Sequence, residues 1–370
     1  MANKAVGTTQ KLHKLHDYDA LLVVSFGGPE GPADVDSFLD NVFRGLRVPP
    51  ETKAHIAKRY EHVGGVSPIN AHTRAFIKAL QLELDAHGPA LPIYWGNRNW
   101  HPLLADTVAQ MAHAGVRRAL AFVTSTFSSY SGCRRYREDL FEAASGLPDA
   151  PRFDKLRVPY NHPGFIEAMS DRVREALETL PAGKREHALV LFTAHSLPLS
   201  MARGCAYEAQ LAASCTLVGE ALERPRWRLV YQSNNASYGR EPWLGPDIRD
   251  ALREADAEGI KAVVVAPIGF ACDHMEVIMD LDVDAAAVAR EIGLTMARAG
   301  TVGAHPKYVA LVRELIVERL TPDAPRRALG SLGPSHDRCA ADCCLPGRPG
   351  PLKPALSGVD DPSLERDAAR

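Results

Sequence analysis

Six short apolar runs punctuate the chain: ALLVVSF (20–26), LPIYWG (91–96), ALAFVTST (119–126), ALVLFTA (188–194), WRLVYQS (227–233) and AVVVAPIGF (262–270). Each leads into a loop and then a helix-like stretch, and each is apolar at consecutive rather than alternate positions. Strands of a parallel sheet read this way, because helices cover both of its faces. The pattern predicts a doubly wound α/β protein. ALLVVSFGGPEGP is similar in shape to ALVLFTAHSLPLS, and RRALAFVTSTFSSYSG to KAVVVAPIGFACDH; in every case a buried strand ends in a loop of small and polar residues. Two similar halves are therefore expected, dividing near residue 160 and meeting at a cleft lined by the C-terminal ends of their strands. From about Leu320 the chain turns to Pro, Gly, Ala and Arg and ends in LERDAAR, which reads as an irregular tail with a disordered end.

Composition narrows the partners. The 370 residues are 46% hydrophobic and 24% charged, with 43 Lys plus Arg against 45 Asp plus Glu. That balance lacks the basic excess of a nucleic-acid or anionic-membrane binder and points to small molecules. The opening MANKAVGTTQKLHKLHDYD has no apolar core for a secretory signal, and no run is long enough to span a bilayer, so the cytoplasm is the expected compartment. Seven cysteines, an odd number, argue against a disulfide framework.

Three groups of residues could carry chemistry. SFGGPEGP has neither the spacing of a dinucleotide fingerprint nor a P-loop lysine, so it reads as a tight strand-to-helix turn that leaves Phe26 facing the cleft. His195 directly follows a buried strand, where an imidazole can accept a proton or hold a metal. In GFACDHMEVIMDLDVDAAA (269–287), Asp273, Glu276, Asp280 and Asp284 recur every three or four residues among apolar neighbours. The stripe is either a solvated helix face or a row of oxygen ligands. Residues 271–289 contain no Lys or Arg to neutralise it. Because four-residue steps drift around an α-helix, a locally wider π-type turn would align the carboxylates better. A histidine beside such a ladder suits the passage of a divalent metal ion held weakly enough to be handed on.

Taken in order, FGGPEGP, GGVSPIN, YWGNRNWHP, YSGCRRYRED, NHPGF, FTAHSLP, PWLGPDI and PIGFACDHMEVIMDLD resemble the ferrochelatases, most closely the actinobacterial type that inserts ferrous iron into coproporphyrin III. The likeness runs over roughly residues 18–345. It implies a chelatase-like fold of two Rossmann-like domains with parallel four-stranded sheets: an extension over 1–17, domains over 18–160 and 161–320, and a tail over 321–370. It implies a lyase that forms a nitrogen–metal bond in haem synthesis, with enzymes of that pathway as the expected protein partners. His195 and Glu276 would flank the inserted Fe2+, and Asp280 and Asp284 would continue the ladder. Ser67 and Tyr136 match porphyrin-contacting positions, and Arg44, Arg47 and Arg98 would pair with propionates in bidentate fashion. Phe26 stands where firmicute enzymes carry an iron-ligating tyrosine, and QSNNASYGREPWL where the family often reads QSR followed by Gly-Pro.

Cys339, Cys343 and Cys344 form a C-x3-C-C group too crowded for independent core thiols, and spacing alone leaves zinc and iron–sulfur readings open. In resembling enzymes that carry a [2Fe-2S] cluster the fourth ligand comes from within the chain, and Cys133 matches that place. Cys205, Cys215 and Cys272 are expected to be ordinary thiols. Two alternatives accompany this reading: a chelatase for protoporphyrin IX or for another divalent metal, and a non-catalytic haem or metal carrier.

Overall fold

A computed structural model describes residues 18–46, 48–224, 226–234, 241–348 and 350–356. Strands β1 (Ala20–Ser25), β2 (Ile93–Asn97), β3 (Arg118–Val123) and β4 (Arg152–Lys155) form one parallel sheet in the order β2-β1-β3-β4. Strands β5 (Leu189–His195), β6 (Trp227–Gln232), β7 (Ala262–Ala266) and β8 (Thr295–Arg298) form a second in the order β6-β5-β7-β8. The two orders are the same, second-first-third-fourth, so the likeness between the halves extends to their topology. β1 and β7 are buried at every position, as expected of strands covered on both faces.

Alternation along these strands sorts their side chains into layers. Leu22 and Val24 face Leu104 and Val108 on one side of the first sheet, and Leu191 and Val265 face Ile248 and Leu252 on one side of the second. On the other side, Leu21, Val23, Val190 and Phe192 join a single core with Phe76, Phe165, Met169 and Leu311, so apolar packing is continuous between the sheets. The helix Pro306–Leu320 contributes most to that continuity, packing against both Ile69–His87 and Pro163–Thr179. Burying each such large aliphatic or aromatic side chain contributes about 1.5–3 kcal/mol, so the shared layer resists separation of the halves.

β4 and β8 escape the sequence pattern. RFDK and TMAR are four-residue edge strands with partly exposed side chains, too short and too polar to register as apolar runs. The described residues of 321–356 form no helix or strand, yet they are firmly tied. Leu329 N–H donates to the Asn161 carbonyl (2.9 Å), the Tyr160 hydroxyl to the Gly333 carbonyl (2.8 Å) and the Ser335 hydroxyl to the Val158 carbonyl (2.7 Å). The 1–17 extension and the chain end beyond 356 lie outside the described residues.

Candidate active site

His195 is the last residue of β5, at the C-terminal edge of the second sheet. Its Nδ1 lies 2.5 Å from the Ser196 carbonyl, a contact that makes Nδ1–H the donor and, in the neutral ring, assigns the lone pair to Nε2. Nε2 lies 3.8 Å from Oε2 of Glu276. The two groups therefore stand side by side on one wall rather than on opposite sides of a shared space. Glu276 sits in the turn Met275–Val277, whose first N–H donates to the buried Ser67 hydroxyl at 3.4 Å, linking the acidic segment to the N-terminal half.

The segment then widens into a π-helix over Ile278–Ala285, the geometry the carboxylate spacing calls for. Asp280 accepts hydrogen bonds from Ser233 and from Gln232 (3.3 Å), and Arg59 bridges it (2.6 Å) to Asp284 (3.1 Å). Burial holds the Asp280 carboxyl above its ordinary range and neighbouring Glu276 adds to the effect, with Ser233 and Arg59 pulling the other way.

Two expectations about the stripe are corrected here. Its neutralising charge exists, but it comes from the helix Pro50–His62, more than two hundred residues earlier. Asp273 does not join the ladder: Arg298 binds it at 3.0 Å and binds Asp282 at 2.9 Å, a separate arrangement. Asp273 precedes the helix, which begins only at Met275 after an extended His274, so a count in helical steps of three and four assigns it wrongly.

Two adjoining cavities meet at Glu276. A cleft of about 520 Å³ is lined by Phe26, Ser67, Arg98, Tyr136, His195 and Glu276, within the usual size range of small-molecule sites. A second space of about 440 Å³ contains Arg59, Ser233, Asp280 and Asp284, and Glu276 lines it as well. One carboxylate thus faces both cavities.

Arg98 lies 5.5 Å from the ring centroid of Phe26 and 5.1 Å from that of Tyr136, with its Nε on Asp139. The guanidinium is stacked between two rings and already ion-paired, which sets Phe26 and Tyr136 as a fixed aromatic wall. Burial, opposed by Arg98, pushes the Tyr136 hydroxyl up to about 12. Arg44 lines the cleft and among the described residues its side chain is bonded only to the neutral Asn41 side chain, while Arg47 lies outside the described residues.

Sequence reasoning missed several lining residues. His274 reaches the cleft with its ring 5.1 Å from Phe270, and burial lowers its pKa. Its place in a strand-end loop, the same signal that drew attention to His195, could have found it. Arg59, Ser233 and Arg348 carry no local signal.

Away from the cleft, Cys133, Cys339 and Cys344 are buried against one another, with Cys343 and Cys205 packed on them. Cys133 comes from a π-turn, Tyr130–Arg134, and the others from the tail. Cys343 Sγ lies 3.6 Å from Cys344 Sγ and 3.5 Å from His336 Nε2. The ligand atoms of His336, Cys339 and Cys343 all fall within 4.8 Å of one another. His336 had not been singled out, and Cys205, expected to be an ordinary thiol, borders the group. Hydrogen bonding with Cys133 holds the Cys339 thiol far below its usual range and the Cys344 thiol far above it. Thiols so close cannot all ionise without a cation, so this donor set fits a soft metal centre. The buried Arg134 and Arg137 fasten the loop by its backbone: Arg134 donates to the Ala341 carbonyl, and Arg137 to those of Ala340 (3.2 Å) and Leu356 (2.5 Å).

Among solved structures, SirB of Bacillus subtilis with Fe3+ aligns at a TM-score of 0.50 with 13% identity, over 82% of this chain and 97% of that one. A multi-domain protein of Deinococcus radiodurans, described as structurally similar to chelatases, aligns at 0.51 with 15% identity over 80% of this chain and 55% of that one. These likenesses define a chelatase-type fold. Within that class, the ferrochelatase family profile matches residues 18–320, and the chain belongs to the ferrochelatase family. It is 51% identical over 342 residues to a ferrochelatase of Rhodopirellula baltica, covering 91% of this chain and 97% of that protein. It is 52% identical over 366 residues to a coproporphyrin III ferrochelatase of Frankia alni, covering 95% and 93%. No helix among the described residues is long and apolar enough to cross a membrane.

Proposed function

We propose that the chain inserts Fe2+ into coproporphyrin III, with His195 and Glu276 as its proton acceptors and the Asp280–Asp284 channel as its polar route. Relatives of about half-identical sequence named for that substrate support the choice of tetrapyrrole and metal. The observation that carries the chemistry is the 3.8 Å approach of Nε2 of His195 to Glu276, with Nδ1–H occupied by the Ser196 carbonyl. A free-base tetrapyrrole must lose two pyrrole protons as the metal is seated. In its neutral form His195 offers a basic Nε2 at the cleft, and Glu276 a carboxylate that also faces the channel. Fe2+, a substrate here, meets oxygen ligands suited to weak, transient binding of a divalent ion. A non-catalytic carrier would need neither the channel nor the paired acceptors.

The thiol group formed by Cys133, Cys339, Cys343 and Cys344 is read as the ligand set of a [2Fe-2S] cluster, a centre that cysteine thiolates hold. Fastening by Arg134 and Arg137 and the burial of three of the thiols support this reading, and the cluster would tie the tail to the N-terminal half.

Anaerobic metal-insertion assays with coproporphyrin III and protoporphyrin IX side by side test the function. Faster turnover of coproporphyrin III with Fe2+ is expected. A preference for protoporphyrin IX overturns the substrate, and absence of insertion with any divalent metal overturns the activity.

A further inference from the structure

The tail delivers one residue that the proposed reaction has not used. Arg348 lines the 520 Å³ cleft together with Ser131 and Arg135, four positions after Cys344. It makes no hydrogen bond or ion pair among the described residues. The other cleft guanidiniums near it are committed, since Arg98 and Arg135 both pair with Asp139, Arg135 at 3.2 Å. A tetrapyrrole bearing carboxylates thus meets at Arg348 a cation that no carboxylate among the described residues engages.

The placement of Arg348 is not free. Gly347 holds a left-handed φ of 71° flat against the short helix Leu199–Arg203: a Cβ there would lie 2.5 Å from Ser200 C and Met201 N. On the other side the thiol group and the Arg134 clamp fix residues 340–344. Cys344 and Gly347 are thus both held in place, and Arg348, the next residue, lines the cleft.

Building on the functional reading above, we infer that Arg348 is a carboxylate-binding residue of the tetrapyrrole cleft, and that the thiol–metal site sets its position. Filling that site would then raise affinity for the substrate without either site touching the other, through a short stiff piece of chain. The coupling is reciprocal, as any linkage of binding free energies must be.

The test is equilibrium binding of free-base coproporphyrin III, without iron substrate, read by quenching of its fluorescence. Arg348→Gln is expected to weaken binding about three- to tenfold, the range of one solvent-exposed hydrogen-bonded contact, and to flatten the salt dependence; Arg348→Lys should fall between. Cys344→Ser should weaken binding by a similar factor, and the double variant no further. Should Cys344→Ser fail to fold, Gly347→Ala provides the same displacement without altering a thiol, and it should match Arg348→Gln. Equal affinity of the wild-type protein and Arg348→Gln overturns the inference alone. Multiplying effects of Cys344→Ser and Arg348→Gln, or a Gly347→Ala variant of unchanged affinity, overturn the positional link. Absence of binding by the wild-type protein overturns the functional reading and this inference with it.

Discussion

Arg59 holds Asp280 at 2.6 Å and Asp284 at 3.1 Å, so the carboxylate ladder is closed by a cation from the other half of the molecule. A divalent ion that uses these oxygens must compete with that guanidinium. Arg59→Gln should therefore tighten equilibrium binding of a probe ion such as Co2+ by about three- to tenfold, the effect of removing one partly buried ion pair. Calorimetric titration measures it. Weaker binding in the variant would mean that Arg59 orients the ladder rather than competing for it.

His195→Ala should abolish metal insertion, by at least about a hundredfold in kcat, the usual scale of a lost general base. Binding of coproporphyrin III should stay within a few-fold, because the cleft walls are untouched. Turnover near that of the wild-type protein would remove His195 from the reaction.

Glu276 faces both cavities whereas Asp284 faces only the channel. Glu276→Gln should accordingly approach the severity of His195→Ala, and Asp284→Asn should slow turnover about tenfold or less, as expected of a group that assists delivery rather than proton transfer. Equal and small losses at both positions would reduce the ladder to a solvated face.

The thiol group makes a chemical prediction independent of turnover. Anaerobically purified protein should be brown, with about two irons and two sulfides per chain by the stoichiometry of a [2Fe-2S] centre. Serine at Cys133, Cys339 or Cys344 should remove the colour and lower the melting temperature, since the centre ties the tail to the folded core. Serine at Cys215, buried in the helix Tyr207–Ala221, should leave the colour unchanged. One zinc per chain without labile sulfide would replace the cluster with a structural zinc site.

His162 caps the helix Pro163–Thr179 by accepting from Gly164 N–H at 3.2 Å. Burial first, then Arg157 and Arg327, lower its pKa to about 3 from 6.5, although Glu314 lies 3.2 Å away, because Arg327 engages that carboxylate at 2.7 Å. Between those values the unfolded chain binds the proton and the folded one does not. Stability contributed by the neutral ring is therefore present above pH 6.5 and lost as pH falls toward 3, by at most about 1.4 kcal/mol per pH unit. His162→Asn keeps a capping side chain without titrating, so its melting temperature should fall less between pH 7 and 4.5. Parallel pH profiles would assign the acid sensitivity elsewhere.

The central strands were legible because both faces of β1, β3, β5 and β7 are covered, which writes them as unbroken apolar runs. β4 and β8 were not, because an edge position relaxes that demand. His195 and Glu276 could be found from a strand end and a spacing, both local features. Arg59 could not, since its partners lie 221 and 225 residues away and nothing in KRYEH distinguishes it from a surface cation. The tail was read as irregular from its composition, and its described residues form no helix or strand. Its order comes from side chains such as Arg134 and Arg137, buried to 2% and 1% exposure, gripping its carbonyls, and a sequence does not distinguish a buried arginine from an exposed one.

Each sheet's third strand leads to a widened helical turn: Tyr130–Arg134 after β3 and Ile278–Ala285 after β7. The first bears the sulfur of Cys133, the second the oxygens of Asp280 and Asp284. At the same topological address, then, one copy of the fold offers a soft donor and the other hard donors, so a polarizable thiophilic centre and a hydrated divalent ion are each drawn to a different half. On the proposed function, the repeated architecture would sort two kinds of metal chemistry by position, keeping an ion in transit apart from one meant to stay.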